Sequence, residues 1–211
     1  MQPATADVVR LFPTFVWQSR LDPACYQPLN RDLLAYIETL MRAGSGTRTG
    51  GAWQSGHALQ EKSECAALIS HIEAAVSSVL AFIKVADAPF RITGCWVNVL
   101  DRGAAHAMHS HPNNFLSGVY YVQTQEGADA ISFHDPRPQT AVIRPPVTEL
   151  TAYNTDQVVV KVSDGTLLVF PAWLPHSVSV NTSARPRISV SFNAMFTAYD
   201  ATMSPPLWGQ D

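Results

Sequence analysis

After Pro89 the apolar pattern of the chain changes period, and this change limits the fold more than any other feature. From residue 91 onward, apolar residues come in short or alternating runs near 91–100, 116–123, 130–135, 140–145, 157–163, 165–170, 176–181 and 187–197, parted by turn residues. Side chains alternate faces every two residues along a strand. About eight short strands with no helix between them therefore predict an antiparallel sandwich or barrel. Before Pro89 the period is helical. Asp22-Pro23 offers a capping side chain and a proline in the first turn, and Leu29, Leu33, Tyr36, Ile37, Leu40 and Met41 follow at helical spacing. Gly44–Gly51 reads as a Gly/Ser/Thr loop that stops this helix. Ser63 opens a second helix whose stripe is Leu68, Ile72, Val76, Val79 and Ile83, closed by Asp87-Ala88-Pro89. Residues 8–18 read as a leading strand interrupted by Pro13. Two helices before a β block predict an α+β, mainly β chain whose helices buttress one sheet.

Composition bounds the rest. The chain has 211 residues, which fits one domain spanning 1–211, with 1–90 as helical support and 91–197 as the β core. Hydrophobic residues make up 46% and charged residues 15%, which suits a packed core and not a disordered chain. A net charge of −3 with no Lys/Arg run argues against a nucleic-acid partner. No run approaches the roughly 18 uninterrupted apolar residues that span a bilayer, so no membrane role is expected. The opening residues lack the zones of a signal peptide. Cys25, Cys65 and Cys95 lie far apart without a CxxC, which fits the reducing cytoplasm.

Histidines carry the first chemical signal. Seven are present, and five of them (His106, His109, His111, His134 and His176) lie in the β block. His109 and His111 are two apart, so on an extended chain both rings face the same way, and neutral imidazole is a common metal ligand. His176 follows the strand GTLLVFP after a turn and offers a third ligand from elsewhere in the barrel. Downstream, Arg185, Arg187, Ser189, Ser191 and Asn193 share one strand face, and Ile188, Val190 and Phe192 share the other. A polar inner face suits a wet pocket, and arginine grips carboxylates with a rigid fork.

In this order the signals resemble the 2-oxoglutarate/Fe(II)-dependent oxygenases. The stretches that carry the resemblance are LFPTFVW, GAWQS, HSHPNNFLSGVYYV, ISFHDPR, DGTLLVFPAWLPHSVSVN and RPRISVSFN. They are similar to a bacterial and phage group of 2OG-Fe(II) oxygenases with H-x-HP, SGVYY, DPR, FPxWxxH and RISxSFN motifs, over nearly the full length. The resemblance implies a double-stranded β-helix, or jelly roll, with Fe(II), 2-oxoglutarate as cosubstrate and O2. It implies His109 and His176 as iron ligands, with His111 where most members place Asp or Glu. It further implies Tyr121 and Arg187 as 2-oxoglutarate contacts, with Arg185 as the competing arginine and Ser189 adding a hydrogen bond.

The usual triad is two histidines and one carboxylate. His111 departs from it, leaving three neutral ligands. A histidine also fills the space that superfamily halogenases leave for chloride. The alternative is a carboxylate from Asp135 or Glu126 with His111 behind it. The reaction implied is decarboxylation of 2-oxoglutarate to succinate and CO2, coupled to hydroxylation of a C–H bond in a small molecule, amino acid or peptide side chain. Trp53, Trp96, Asn98, His106, His134, Asp135, Arg137 and Trp173 are candidates for the substrate side, with Ser55 and Asn114 as further polar residues. For Asp135 and Arg137 a mutual surface ion pair is an equal reading.

Two other readings remain open at this point. One is a three-histidine cupin-type dioxygenase not using 2-oxoglutarate, although Asn113, Asn114, Phe115 and Leu116 stand where the cupin glutamate is expected and Trp173 where its glycine is. The other is a non-catalytic metal-binding jelly roll. Exposed aromatic loops would suit a homodimer.

Overall fold

The computed structural model describes residues 7–85, 88–137 and 145–202. Strand β1 (Trp17–Arg20) leads into α1 (Pro23–Arg42), the hairpin β2 (Gly46–Thr49) and β3 (Ala52–Ser55), and α2 (Ala66–Phe82). The β block is β4 (Phe90–Leu100), β5 (His106–His109), β6 (Leu116–Gln123), β7 (Ala130–His134), β8 (Gln157–Lys161), β9 (Thr166–Pro171), β10 (His176–Val178) and β11 (Arg187–Phe196), with a closing turn α3 (Thr197–Asp200). Two antiparallel sheets result, a seven-stranded one in the order β1-β9-β6-β11-β4-β3-β2 and a four-stranded one in the order β5-β10-β7-β8. This is a mainly β jelly roll with helices on one side, as the sequence pattern predicts.

Alternation along the central strands builds two cores from one sheet. Val97, Val99, Tyr120, Val122, Leu167, Val169, Val190 and Phe192 face the helices and pack with Leu33 and Ile37 of α1 and Leu68, Ile72, Val76 and Val79 of α2. Val119, Tyr121, Leu168 and Phe170 face the other way and pack with Ile131, Phe133, Val162 and Leu174. The helix layer is also pinned by a buried polar contact. Tyr120 Oη donates to Asn30 Oδ1 at 2.6 Å, and Asn30 Nδ2 donates to the Val122 carbonyl at 2.7 Å.

The structure corrects several expectations. The supposed loop 44–51 contains β2 and the turn into β3, because Gly50-Gly51 makes a tight hairpin, with Gly50 at φ 58°. Residues 7–16 form no strand, and only Trp17–Arg20 pairs, with β9. Ser63 opens a short 3-10 turn, and α2 proper starts at Ala66 and ends before Ile83. The expected run at 140–145 lies, but for its last residue, outside the described residues. Ser63–Phe82 is in fact long and apolar enough to cross a membrane by length and composition, yet Leu68, Ile72, Val76 and Val79 are at most 2% exposed inside the fold.

Candidate metal centre

Three short elements deliver the histidines to one point. The paired strands β5 and β10 set His176 opposite His109, and the backbone N–H of His111 donates to the Ala172 carbonyl at 2.9 Å, which holds the chain after β5 against the end of β9. The ligand nitrogens of His109, His111 and His176 all lie within 4.8 Å of one another. Ring centroids are 4.4 Å apart for His109–His176 and 5.1 Å for each of the other two pairs.

Tautomers are fixed by the backbone. His109 Nδ1 lies 2.8 Å from the Ala107 carbonyl and His176 Nδ1 lies 2.9 Å from the Leu174 carbonyl. A carbonyl only accepts, so each Nδ1 carries the proton and each Nε2 keeps its lone pair for a metal. Burial, reinforced by the neighbouring His176, His109 and His57, holds His111 down at about 3. Burial likewise holds His176 at about 4, although its bond to Leu174 works the other way. Both rings are therefore neutral at neutral pH, the form that ligates. Among the described residues no aspartate or glutamate joins the cluster. Asp135 is committed to Arg137, with Oδ2 and Nη2 2.6 Å apart, and Glu126 lies exposed in the turn after β6.

The cluster opens onto a cavity of about 520 Å³ between the sheets. Its walls include Trp96, Asn98, His106, Val119, Ile131, Phe170, Arg187, Ser189 and Ser191, with Thr47, Thr49, Trp53 and Gln54 from the β2–β3 hairpin. Arg187 is only 2% exposed, and its guanidinium stands over the Tyr121 ring at 5.1 Å. Its Nε and the Tyr121 hydroxyl are both buried without a hydrogen-bond partner among the described residues. Burial raises the Tyr121 hydroxyl above its ordinary value, with the charge of Arg187 and the approach of its guanidinium to the hydroxyl, too poorly aligned for a hydrogen bond, pulling the other way. A buried cation beside an unpaired hydroxyl is costly unless an anion completes it. Burial, with the charges of His109 and Arg187, lowers His106 to about 4.

Of the candidate residues, His109, His111, His176, His106, Trp53, Trp96, Asn98, Arg187 and Ser189 line this one cavity, and Tyr121 lies beneath Arg187. Arg185, His134, Asp135, Arg137 and Trp173 do not line it, nor do Ser55, Asn114 and Glu126. Arg185 precedes Pro186 and the start of β11, so strand alternation does not reach it, and its guanidinium bonds Gln123 Oε1 at 3.0 Å. On β7 it is Phe133 that faces the core, so His134 points away and meets Ser177 Oγ at 2.8 Å. Asp135 and Arg137 form the surface ion pair described above, with Arg137 72% exposed. Trp173 is 54% exposed in the β9–β10 turn, between the buried Ala172 and Leu174. Sequence reasoning missed Gln54, Thr47 and Thr49. The Gly-Gly turn before Trp53 was the signal that could have found them.

A jelly roll holding converged imidazoles beside a buried arginine offers a place for a metal ion next to an anionic ligand. Residues 94–193, most of the β core, match the family model described as "Putative 2OG-Fe(II) oxygenase". Solved structures with the same fold include the non-heme alpha ketoglutarate dependent epimerase SnoN from nogalamycin biosynthesis, at 17% identity and TM-score 0.63, covering 93% of this chain and 87% of that one. A Pseudomonas putida prolyl-4-hydroxylase aligns at 16% identity and TM-score 0.60, covering 87% and 93%. HygX from Streptomyces hygroscopicus, solved with nickel and 2-oxoglutarate bound, aligns at 12% identity and TM-score 0.59, covering 87% and 84%. At these identities the likeness is one of fold. No curated protein matches the chain in sequence.

Proposed function

We propose that this protein is an Fe(II)- and 2-oxoglutarate-dependent dioxygenase that hydroxylates a C–H bond of a small molecule, amino acid or peptide side chain. The observation that carries the reading is Arg187, a buried guanidinium without an ion pair among the described residues, in the same cavity as the three histidines. In this reading His109, His111 and His176 hold the metal. Arg187, with Tyr121 Oη and Ser189, takes the far carboxylate of 2-oxoglutarate. With O2, the loaded site supplies oxidative decarboxylation of the cosubstrate to succinate and CO2, coupled to substrate hydroxylation.

The residues have separate tasks. The carbonyls of Ala107 and Leu174 hold the ring nitrogens of His109 and His176 toward the metal position. Three neutral ligands leave a divalent metal its full charge, which favours binding a dianionic cosubstrate. Arg187 fixes the orientation of that dianion through a two-pronged contact, and its burial strengthens the pairing. Phe170 and Val119 give the cavity wall an apolar surface.

Calorimetric titration of 2-oxoglutarate into the Mn(II)-loaded protein under nitrogen tests the assignment. Binding is expected in the wild type and in Arg185→Ala, and not in Arg187→Ala. No binding to the wild type, with O2 still consumed, would favour a three-histidine dioxygenase that dispenses with 2-oxoglutarate. Metal stoichiometry tests the third ligand. His111→Ala is expected to lose metal affinity by at least roughly tenfold, and near-native affinity would remove His111 from the site.

A further inference from the structure

We propose that Gln54, Asn98 and Ser191 form a substrate-binding strip that receives an uncharged carbonyl compound and rejects an ammonium ion; the assignment rests on the oxygenase reading of the cavity. The three residues sit on the adjacent strands β3, β4 and β11 and all line the cavity. They are joined in sequence by hydrogen bonds. Gln54 Nε2 donates to Asn98 Oδ1 at 3.0 Å, and Asn98 Nδ2 donates to Ser191 Oγ at 2.9 Å. Asn98 is only 3% exposed, so this orientation is held inside the fold.

The bonds already made decide what the strip can offer. Ser191 Oγ accepts from Asn98, which leaves its O–H free to donate. The second N–H of Asn98 and the second N–H of Gln54 make no hydrogen bond among the described residues and are also free to donate. The strip thus presents three donors beside one uncommitted amide oxygen, Gln54 Oε1, and the group that best matches several donors at once is a carbonyl oxygen.

Charge points the same way. No aspartate or glutamate lines the cavity among the described residues, and its one permanently charged side chain is Arg187. An ammonium entering here would lose its water without a counter-ion and would face both Arg187 and the metal. Aromatic faces could in principle compensate by cation–π attraction. However, Trp96 already has His57 against it, tilted by 35° with centroids 4.7 Å apart, and His111 near it at 5.8 Å. A cavity of about 520 Å³ lies within the range that holds a small organic molecule.

The test uses two probes of like size and opposite character, phenylacetamide and phenethylamine. Each is titrated into the full chain loaded with Mn(II) and saturated with 2-oxoglutarate, without oxygen, and binding is followed by calorimetry and tryptophan fluorescence. Phenylacetamide is expected to bind at least tenfold more tightly than phenethylamine. Gln54→Ala and Ser191→Ala are each expected to weaken the amide at least threefold while 2-oxoglutarate affinity stays within twofold. The proposal is overturned by equal or tighter binding of the amine, by absence of amide binding, or by unchanged amide affinity in both variants. A parallel loss of 2-oxoglutarate affinity in either variant would assign the strip to the cosubstrate and overturn it too. If 2-oxoglutarate does not bind the wild type, the oxygenase reading fails by itself, and the same two probes on the Mn(II)-only protein still decide the strip.

Discussion

Strand β11 has two faces that follow different rules. Toward the helices it places Ile188, Val190 and Phe192, all buried in the larger core, with Phe192 at 0% exposure. Toward the cavity it places Arg187, Ser189 and Ser191, of which Arg187 and Ser189 are equally hidden from solvent. Burial on the first face removes apolar surface from water and stabilises the fold. Burial on the second face strips water from polar groups that the protein does not fully satisfy, which costs stability. One strand therefore carries both the support and the strain of the site. The helix face is dense so that the cavity face need not be.

The largest expected effect belongs to the helix face. Phe192→Ala should lower unfolding stability by about 3–5 kcal/mol, because a fully buried ring leaves a void that a packed layer cannot close. Urea denaturation measures it, and a loss below about 1 kcal/mol would show that the helix layer is looser than described. On the cavity face, Arg187→Ala should reverse the pattern. It should weaken 2-oxoglutarate about 100-fold, close to 3 kcal/mol, while unfolding stability holds or rises as an unpaired buried charge is removed. A stability loss above about 2 kcal/mol would make Arg187 a structural residue. Gly118→Ala sharpens the contrast from the opposite direction. A Cβ at Gly118 would collide with the Phe192 ring and the Leu168 carbonyl, so overpacking should cost about 1–3 kcal/mol, read in the same urea experiment.

This division also explains what the sequence revealed. The alternation in RISVSFN separates the two faces of β11 in the sequence itself, because a period of two is strict along a strand. The spacing of His109 and His111 was legible for the same reason. Arg185 was misplaced by extending that alternation across Pro186, where the strand has not begun. His134, Asp135 and Trp173 lie off the cavity lining because they sit at strand ends and turns, where a neighbour's direction, not a period, decides which way a side chain points. Gln54 and the hairpin threonines reach the cavity only through pairing of β3 with β4, a contact between residues 44 apart for Gln54 and Asn98, which no local pattern encodes.

Protons offer the mildest probe of the same contrast. On the helix face, burial pushes the Cys95 thiol and the Tyr120 hydroxyl up, so both stay neutral from pH 5 to 8 and add no pH dependence there. On the cavity face His106, His111 and His176 lie at about 4, 3 and 4, below the ordinary histidine value near 6.5. The unfolded chain therefore takes up these protons first as pH falls. Stability is complete above about pH 6.5 and is lost progressively from there toward pH 4. Each group could contribute up to about 1.4 kcal/mol per pH unit in that window, and water in the open cavity reduces this. Metal-free protein, kept so with a chelator, should lose about 1–2 kcal/mol between pH 7.5 and 5.5 by urea denaturation. Mn(II) at saturating concentration should reduce the loss, because a bound metal competes with protons for the same nitrogens. His106→Gln should lower the slope of the metal-free protein without touching the three clustered histidines. A pH-independent midpoint in the metal-free protein would mean that the cavity histidines are as well hydrated as in the unfolded chain, and the contrast between the two faces would then be one of packing alone.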